Sequence, residues 1–380
     1  GKNVTEKEAK DDAAVLRIYH TPGQEEESLD FQPTIPVLLV PDTLFALGEL
    51  AANKRRWDNN LQVLAMTGSS GKTTVKEMTG AILSQKHSIL KTEGNFNNLI
   101  GMPLTLLNLK DDHEIAVLEM GMNRPGEIAR LTEIADPDIA CIINVQEAHL
   151  EGLGDIRGVA KAKNELFAGL KSEGKAAVNL DDEIVRSLAD QLTQEKITFG
   201  CSPDAFIRAT TIESLGQDGM SFTLHIGNES RHVTITAIGR HNVSNSLAAA
   251  AMAHGTGIDI DEISTVLSVF TPYEKRTCIE ELKSGITVLN DCYNANPASM
   301  MAALSTLKDL KKDHRAVAIL GDMLELGAKS EAAHQALGKA VYEFGIDFLA
   351  AFGSQTQNMV TSALDAGMDR ETAKGFNSKK

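Results

Sequence analysis

Residues 61–83, LQVLAMTGSSGKTTVKEMTGAIL, place a buried-strand run, a turn of small residues and a helix-forming stretch end to end. A strand that passes straight into a helix returns to its sheet by a crossover, and crossovers join parallel strands. This junction therefore predicts a parallel sheet with helices on its faces. The small residues Gly68, Ser69, Ser70 and Gly71 let backbone N–H groups crowd around an anion at a helix start. Lys72, Thr73 and Thr74 follow: a lysine to reach outer phosphates and a hydroxyl to meet Mg2+. Met66 stands where the usual phosphate-loop spacing has its first glycine.

The alternation continues downstream. HSILKT, EIAVLEMG, DIACIINV and KAAVNL read as strands, and NNLIGMPLTLLNL, PGEIARLTEIA and DIRGVAKAKNELFAGL as the helices between them. From Ile197 to about Ile238 the pattern changes to the alternating residues of a small antiparallel subregion. Two helices follow, and a second α/β alternation starts at Gly285 with ITVLNDCY, RAVAILG and FLAAFG. The expected fold class is α/β: a central phosphate-loop parallel-sheet domain, then a smaller Rossmann-like domain. The expected division is an N-terminal arm or domain remnant at 1–45, a central ATP-binding domain at 46–271 and a C-terminal ligase domain, incomplete at its end, at 272–380.

Composition removes several function classes. The balance is 37 basic against 52 acidic residues, −15 overall, so a general nucleic-acid binder is not expected. No apolar stretch reaches the ~20 residues of a membrane helix. Cys141, Cys201, Cys278 and Cys292 are scattered, which speaks for reduced thiols in the cytoplasm rather than a disulfide or zinc framework.

Ligands of parallel sheets gather at the carboxyl ends of the strands, where the glycine turn also lies. Glu119 ends one such strand and can reach the same Mg2+ as Thr73; His149 follows another, and Lys163 lies on the next helix. Each also has a plain reading alone: a solvated strand end, a loop histidine, a surface lysine. Asn97 and Asn98 in TEGNFNNLIG suit either a turn with a helix cap or a polar loop beside the outer phosphate. Asn242 in GRHNVSNS suits a helix cap or an adenine edge. Asp291, Asn294 and Asn296 end a strand of the second domain, and Arg276 stands in the hinge, able to swing towards the phosphates.

The ordered set TGSSGKTT, GNFNNLIGMPLTLL, LEMGMNRPGEI, AHLEGLGDIRGVAKAKNELF, GRHNVSNSLAAAA, DCYNANPASM and LGDMLELGAKSEAAH resembles the Mur ligase family over roughly residues 36–355. Within it the likeness is to members that add D-alanyl-D-alanine to UDP-N-acetylmuramoyl tripeptide. The resemblance implies ATP and two Mg2+ ions as cofactors, these two small-molecule substrates, no nucleic-acid partner and a cytoplasmic monomer. It gives Lys72 and Thr73 to the phosphates and Mg2+, Glu119 to the first Mg2+, and His149 with a carbamylated Lys163 to the second. It gives Asn242, Arg276 and Asp291 to the nucleotide; Asn97, Asn98, Asn294 and Asn296 remain candidates for substrate from their own place in the sequence. The implied reaction makes an acyl phosphate that an amine then attacks.

The family's N-terminal UDP-binding signature is not legible here, and only IPVLLVPDTLFALGELA is similar to that domain's exit. The expectation is thus a chain without most of that domain, with ATP chemistry better marked than UDP recognition. Two alternatives stay open: a related ADP-forming amide ligase with another acceptor, of the folylpolyglutamate or cyanophycin kind, and a nucleotide-binding module without turnover.

Overall fold

The structure is a computed structural model, and it describes residues 5–8, 17–20, 37–38, 40–57, 60–271 and 277–376. Its centre is a nine-stranded sheet. From one edge the order is Glu229–Ile235, Met220–Ile226, Ile207–Ser214, Glu195–Gly200, Lys175–Asn179, Ile139–Ile142, Gln62–Thr67, Ile115–Glu119 and Ile89–Lys91. The strands from Glu195–Gly200 to Ile89–Lys91 pair in parallel, as the strand-to-helix junction at residue 67 requires.

Both faces of this sheet are core, so its strands read as near-continuous apolar runs. In Gln62–Thr67, Val63 and Ala65 pack with helices Thr43–Arg56, Glu127–Ala135 and Ile156–Ala168. Leu64 and Met66 face the other way, towards helices Lys72–Leu83, Arg240–Gly255 and Ile260–Val269. Helix Arg240–Gly255 is enclosed on almost every side, and the fully buried run Ala248–Ala251 lets it lie close to its neighbours.

Met66 is a buried strand residue in parallel register with Glu119 and Cys141. The turn begins only at Gly68, so a glycine at 66 would weaken a strand without widening the loop.

One detail extends the expectation and one departs from it. The antiparallel strands are the continuation of the large sheet, because Ile207–Ser214 joins Glu195–Gly200 in parallel before the hairpins begin. The segment Thr287–Asn290 does not open a parallel alternation; it pairs antiparallel with Cys278–Glu281. The link between them is a tight turn with Gly285 at φ 79° and its N–H on the Leu282 carbonyl (2.9 Å), too short for a crossover. The parallel sheet of the second domain consists of Val317–Leu320, Phe348–Phe352 and Ala373–Phe376, backed by helices Pro297–Lys311, Ser330–Glu343 and Thr356–Ala366.

Candidate active site

A cavity of about 680 Å3 opens at the carboxyl ends of the central strands. Its near wall is the glycine turn with Glu119 and His149, and its far wall is Thr277, Asp291, Tyr293 and Asn294 of the second domain.

The turn is held from behind by residues the sequence reading passed over. Asn144 Oδ1 accepts from the N–H groups of Ser69 and Ser70, both at 3.0 Å. The Ser69 hydroxyl donates to the Gln146 carbonyl (2.9 Å), and the Ser70 hydroxyl to Gln146 Oε1 (2.9 Å). These two serine amides are therefore spent on the scaffold. The anion-facing amides are those of the helix's first turn, where Thr73 and Thr74 lie beyond any intrahelical acceptor. Asn144 and Gln146 did leave a signal: they follow the strand Ile139–Ile142, which lies directly beside the loop strand. Gly71 is left-handed (φ 79°), and a Cβ there would stand 2.3 Å from Asn245 Oδ1. Only glycine lets the turn pass so close to helix Arg240–Gly255.

At the foot of the turn the Thr73 hydroxyl donates to Glu119 Oε2 at 2.9 Å, and Asn97 Nδ2 donates to Oε1 at 2.8 Å. Glu119 is only 2 % exposed, and no ion pair to a described residue neutralises it. A buried carboxylate held only by neutral donors, next to a hydroxyl, is a hard-oxygen set that suits Mg2+. Lys72 folds over the turn, its ammonium donating to the Gly68 carbonyl (2.8 Å).

Lys163 projects from helix Ile156–Ala168 and is 2 % exposed. Among the described residues its amine has no hydrogen bond or ion pair. Burial, and then the nearby Lys72 ammonium, pushes its pKa well below the ordinary lysine value. The same field reaches His149: burial lowers its pKa, Glu325 pulls it up, and Lys72 and Lys163 push it down, leaving it below the ordinary value. Lys72, His149 and Lys163 thus share one corner in which burial and the Lys72 charge disfavour the protonated forms of the other two.

The asparagines divide by task. Asn98 Oδ1 accepts from the amides of Ile100 (3.0 Å) and Gly101 (2.9 Å), and Asn296 closes a capping box with Ser299. Both line the cavity while capping helices. Asn242 donates to the Ile238 carbonyl (2.8 Å) and accepts from Asn245 (3.0 Å). Asp291 accepts from the Thr277 N–H (3.0 Å) and lies close enough to His241 to pull its pKa up against the larger, lowering effect of burial. Asn294 Oδ1 accepts from the Ala295 amide (2.9 Å). Arg276 lies outside the described residues.

Fold and cavity together define a class: phosphate-loop α/β proteins in which a second α/β domain faces the loop. Residues 66–253 match the Mur ligase middle domain, and residues 276–378 match the Mur ligase glutamate ligase domain. The chain belongs to the Mur ligase family. It is 41% identical over 332 residues to the UDP-N-acetylmuramoyl-tripeptide--D-alanyl-D-alanine ligase of Escherichia coli, covering 87% of this chain and 72% of that one. The ligase of the same name from Bacillus subtilis is 37% identical over 317 residues, with 83% and 68% covered. Among solved structures, MurF from Acinetobacter baumannii superposes with a TM-score of 0.83 at 33% identity, covering 93% of this chain and 75% of that one. MurF ligase from Thermotoga maritima in complex with ADP gives 0.79 at 27% identity, with 88% and 76% covered. Among the described residues no helix is long and apolar enough to cross a membrane.

Proposed function

We propose that this chain joins D-alanyl-D-alanine to UDP-N-acetylmuramoyl tripeptide at the expense of ATP, releasing ADP and phosphate. The observation that carries the reading is the buried Thr73–Glu119 pair at the foot of a lysine-bearing turn, facing a second domain across one cavity. The likeness to relatives of that name over most of the chain gives the substrates.

In this reading the first-turn amides and Lys72 hold the β- and γ-phosphates, with Gly68, Ser69, Ser70 and Gly71 shaping the turn. Thr73 and Glu119 would hold one Mg2+, and His149 with a carbamate on Lys163 would hold a second. Mg2+ bound there offsets charge on the transferring phosphoryl group. The Lys163 amine, its pKa lowered by burial and by Lys72, would add CO2 and lose a proton, becoming an anion beside the Lys72 ammonium. Asn242 and Asp291 grip the nucleotide from opposite walls, and Arg276 joins them from the hinge. Asn97 and Asn294, with the caps Asn98 and Asn296, line the space for the peptide substrates.

The acceptor carboxylate attacks the γ-phosphorus and the bond to the β-phosphate oxygen breaks, so ADP leaves. The dipeptide amine then attacks the acyl carbon and loses its proton, and the C–O bond to phosphate breaks. Lys72 would offset the charge that gathers on the tetrahedral oxyanion. The second domain keeps water from the acyl phosphate while the amine is brought up. We place the domain division near residue 271 and the chain in the cytoplasm as a monomer.

Release of ADP on adding all of UDP-muramyl tripeptide, D-alanyl-D-alanine and MgATP tests the reading. Turnover should need every component. No stimulation by that pair, with turnover on another acceptor and amine, would overturn it.

A further inference from the structure

The loop Gly321–Lys329 of the second domain is fixed within its own domain. Asp322 accepts from the Ser354 amide (2.6 Å), the Ser354 hydroxyl (2.8 Å) and the Gln355 amide (3.0 Å). The Met323 N–H donates to Nε2 of His334 (2.9 Å), whose Nδ1 donates to the Ser330 carbonyl (2.6 Å). Met323 and Leu326 are core residues. Between them Glu325 is pushed outward in a left-handed conformation (φ 62°).

It meets the other domain at a residue of the same kind. His149 is also left-handed (φ 55°), and its Nδ1 lies 2.6 Å from Glu325 Oε2. The Glu325 carbonyl accepts from the Glu151 amide (3.0 Å), and Lys329 pairs with Glu147. Two non-glycine residues in a sparsely populated conformation persist only where their surroundings over-determine them. An ion pair near the surface adds little to docking by itself, so the precise placement needs another reason. For a carboxylate oxygen at this distance to accept, the proton must sit on Nδ1, and in the neutral ring that tautomer leaves Nε2 with its lone pair.

We propose that Glu325 is a positioning residue: by accepting the Nδ1 proton of His149 across the domain interface, it presents Nε2 unprotonated to the divalent cation beside the phosphate loop, and does so only when the domains are docked. The proposal rests on the reading of His149 as a metal ligand. It makes the second domain complete the metal site of the first, so a cation held there senses domain closure.

Long-range 1H–15N spectra of the whole, metal-free chain with 15N-labelled histidine read the tautomer directly, with His149→Asn giving the assignment. The expected parent signal is Nδ1–H. Glu325→Ala should move it towards Nε2–H, and Glu325→Gln, which keeps an acceptor, should retain it. Mn2+ titrations with a non-hydrolysable ATP analogue, followed by electron paramagnetic resonance, should then show the weaker Mn2+ site loosened about 10–100-fold in Glu325→Ala. Lys329→Ala breaks only the neighbouring ion pair and should change that affinity less than about threefold. Glu325 is 49% exposed at its side chain, so its removal leaves no cavity in a core. An unchanged tautomer and Mn2+ affinity in Glu325→Ala, or equal losses in Lys329→Ala, overturns the proposal. A parent chain that binds no Mn2+ with the analogue overturns the metal-site reading beneath it as well, whereas binding that Glu325→Ala leaves intact removes this proposal alone.

Discussion

The two walls of the cavity are built differently. The near wall stands on the ends of strands buried on both faces, and its side chains are locked by partners: Thr73 on Glu119, Glu119 on Asn97, Ser69 and Ser70 on Asn144. The far wall stands on a two-stranded ribbon and a helix start, and Tyr293 there is 48% exposed. Charge on a moving phosphoryl group is best met by groups already in place, because their reorganisation is then complete before the reaction. An amine substrate must enter and a lengthened peptide must leave, so the wall that serves it has to open.

The largest effect should come from the near wall. Lys72→Ala should lower kcat by about 10^3-fold in the ADP-release assay while the circular dichroism and melting curve stay those of the parent. Activity within tenfold of the parent would remove the phosphate-loop argument.

A smaller effect should follow from crowding the turn. Gly71→Ala forces a side chain into a left-handed position and against Asn245 Oδ1, 2.3 Å away. It should destabilise the chain by about 1–3 kcal/mol and raise KM for ATP. Gly71→Ala combined with Asn245→Gly keeps the backbone strain but frees the space. Recovery of the ATP KM in the pair, with the stability loss only partly restored, would separate the two causes.

On the far wall, among the described residues, Asn294 holds only the neighbouring Ala295 amide. Asn294→Ala should change kcat/KM for the amine by less than about tenfold, with KM for ATP unaltered. A loss as deep as that of Lys72→Ala would end the distinction between the walls.

What the sequence disclosed follows the same division. The parallel sheet was legible because its strands are buried on both faces, and apolar runs between helical stretches report that directly. The turn at Gly68–Thr74 was legible because small residues, a lysine and a hydroxyl occur together in a short span. The ribbon Cys278–Asn290 was misread because one apolar strand looks alike in a parallel sheet or a hairpin, and the deciding signal was the single glycine at 285. Asn98 and Asn296 kept two readings in the sequence, since capping and substrate binding ask for the same amide. Asn144 and Gln146 were marked only by their place after a strand, and Glu325 was passed over because it acts through a contact between residues far apart in the chain. Glu325 meets His149 across 176 positions, and local pattern carries no record of such a pair.

The smallest effect probes what lies beneath the near wall. Lys76 is fully buried, donates to the Thr92 carbonyl (2.7 Å) and pairs with Glu77 (2.9 Å), which also pairs with Lys91. The Thr92 hydroxyl in turn accepts from the Glu119 amide (3.0 Å), so this cluster steadies the strand that sets Glu119. Burial raises the Glu77 pKa, but the Lys91 and Lys76 ammonium groups outweigh it and hold the carboxyl below its ordinary value of 4.5. A lowered folded value means the unfolded chain binds the proton more readily. The stabilisation is therefore full above pH 4.5 and is lost as pH falls towards the folded value. Glu77→Gln should cost about 2 kcal/mol at pH 7 in urea unfolding, since it strands a buried ammonium. The gap to the parent should narrow as the pH falls below that point, with kcat at pH 7 changed less than about fivefold. A gap that stays constant down to pH 3 would show that the Glu77 charge contributes nothing, and that packing alone holds the strand behind Glu119.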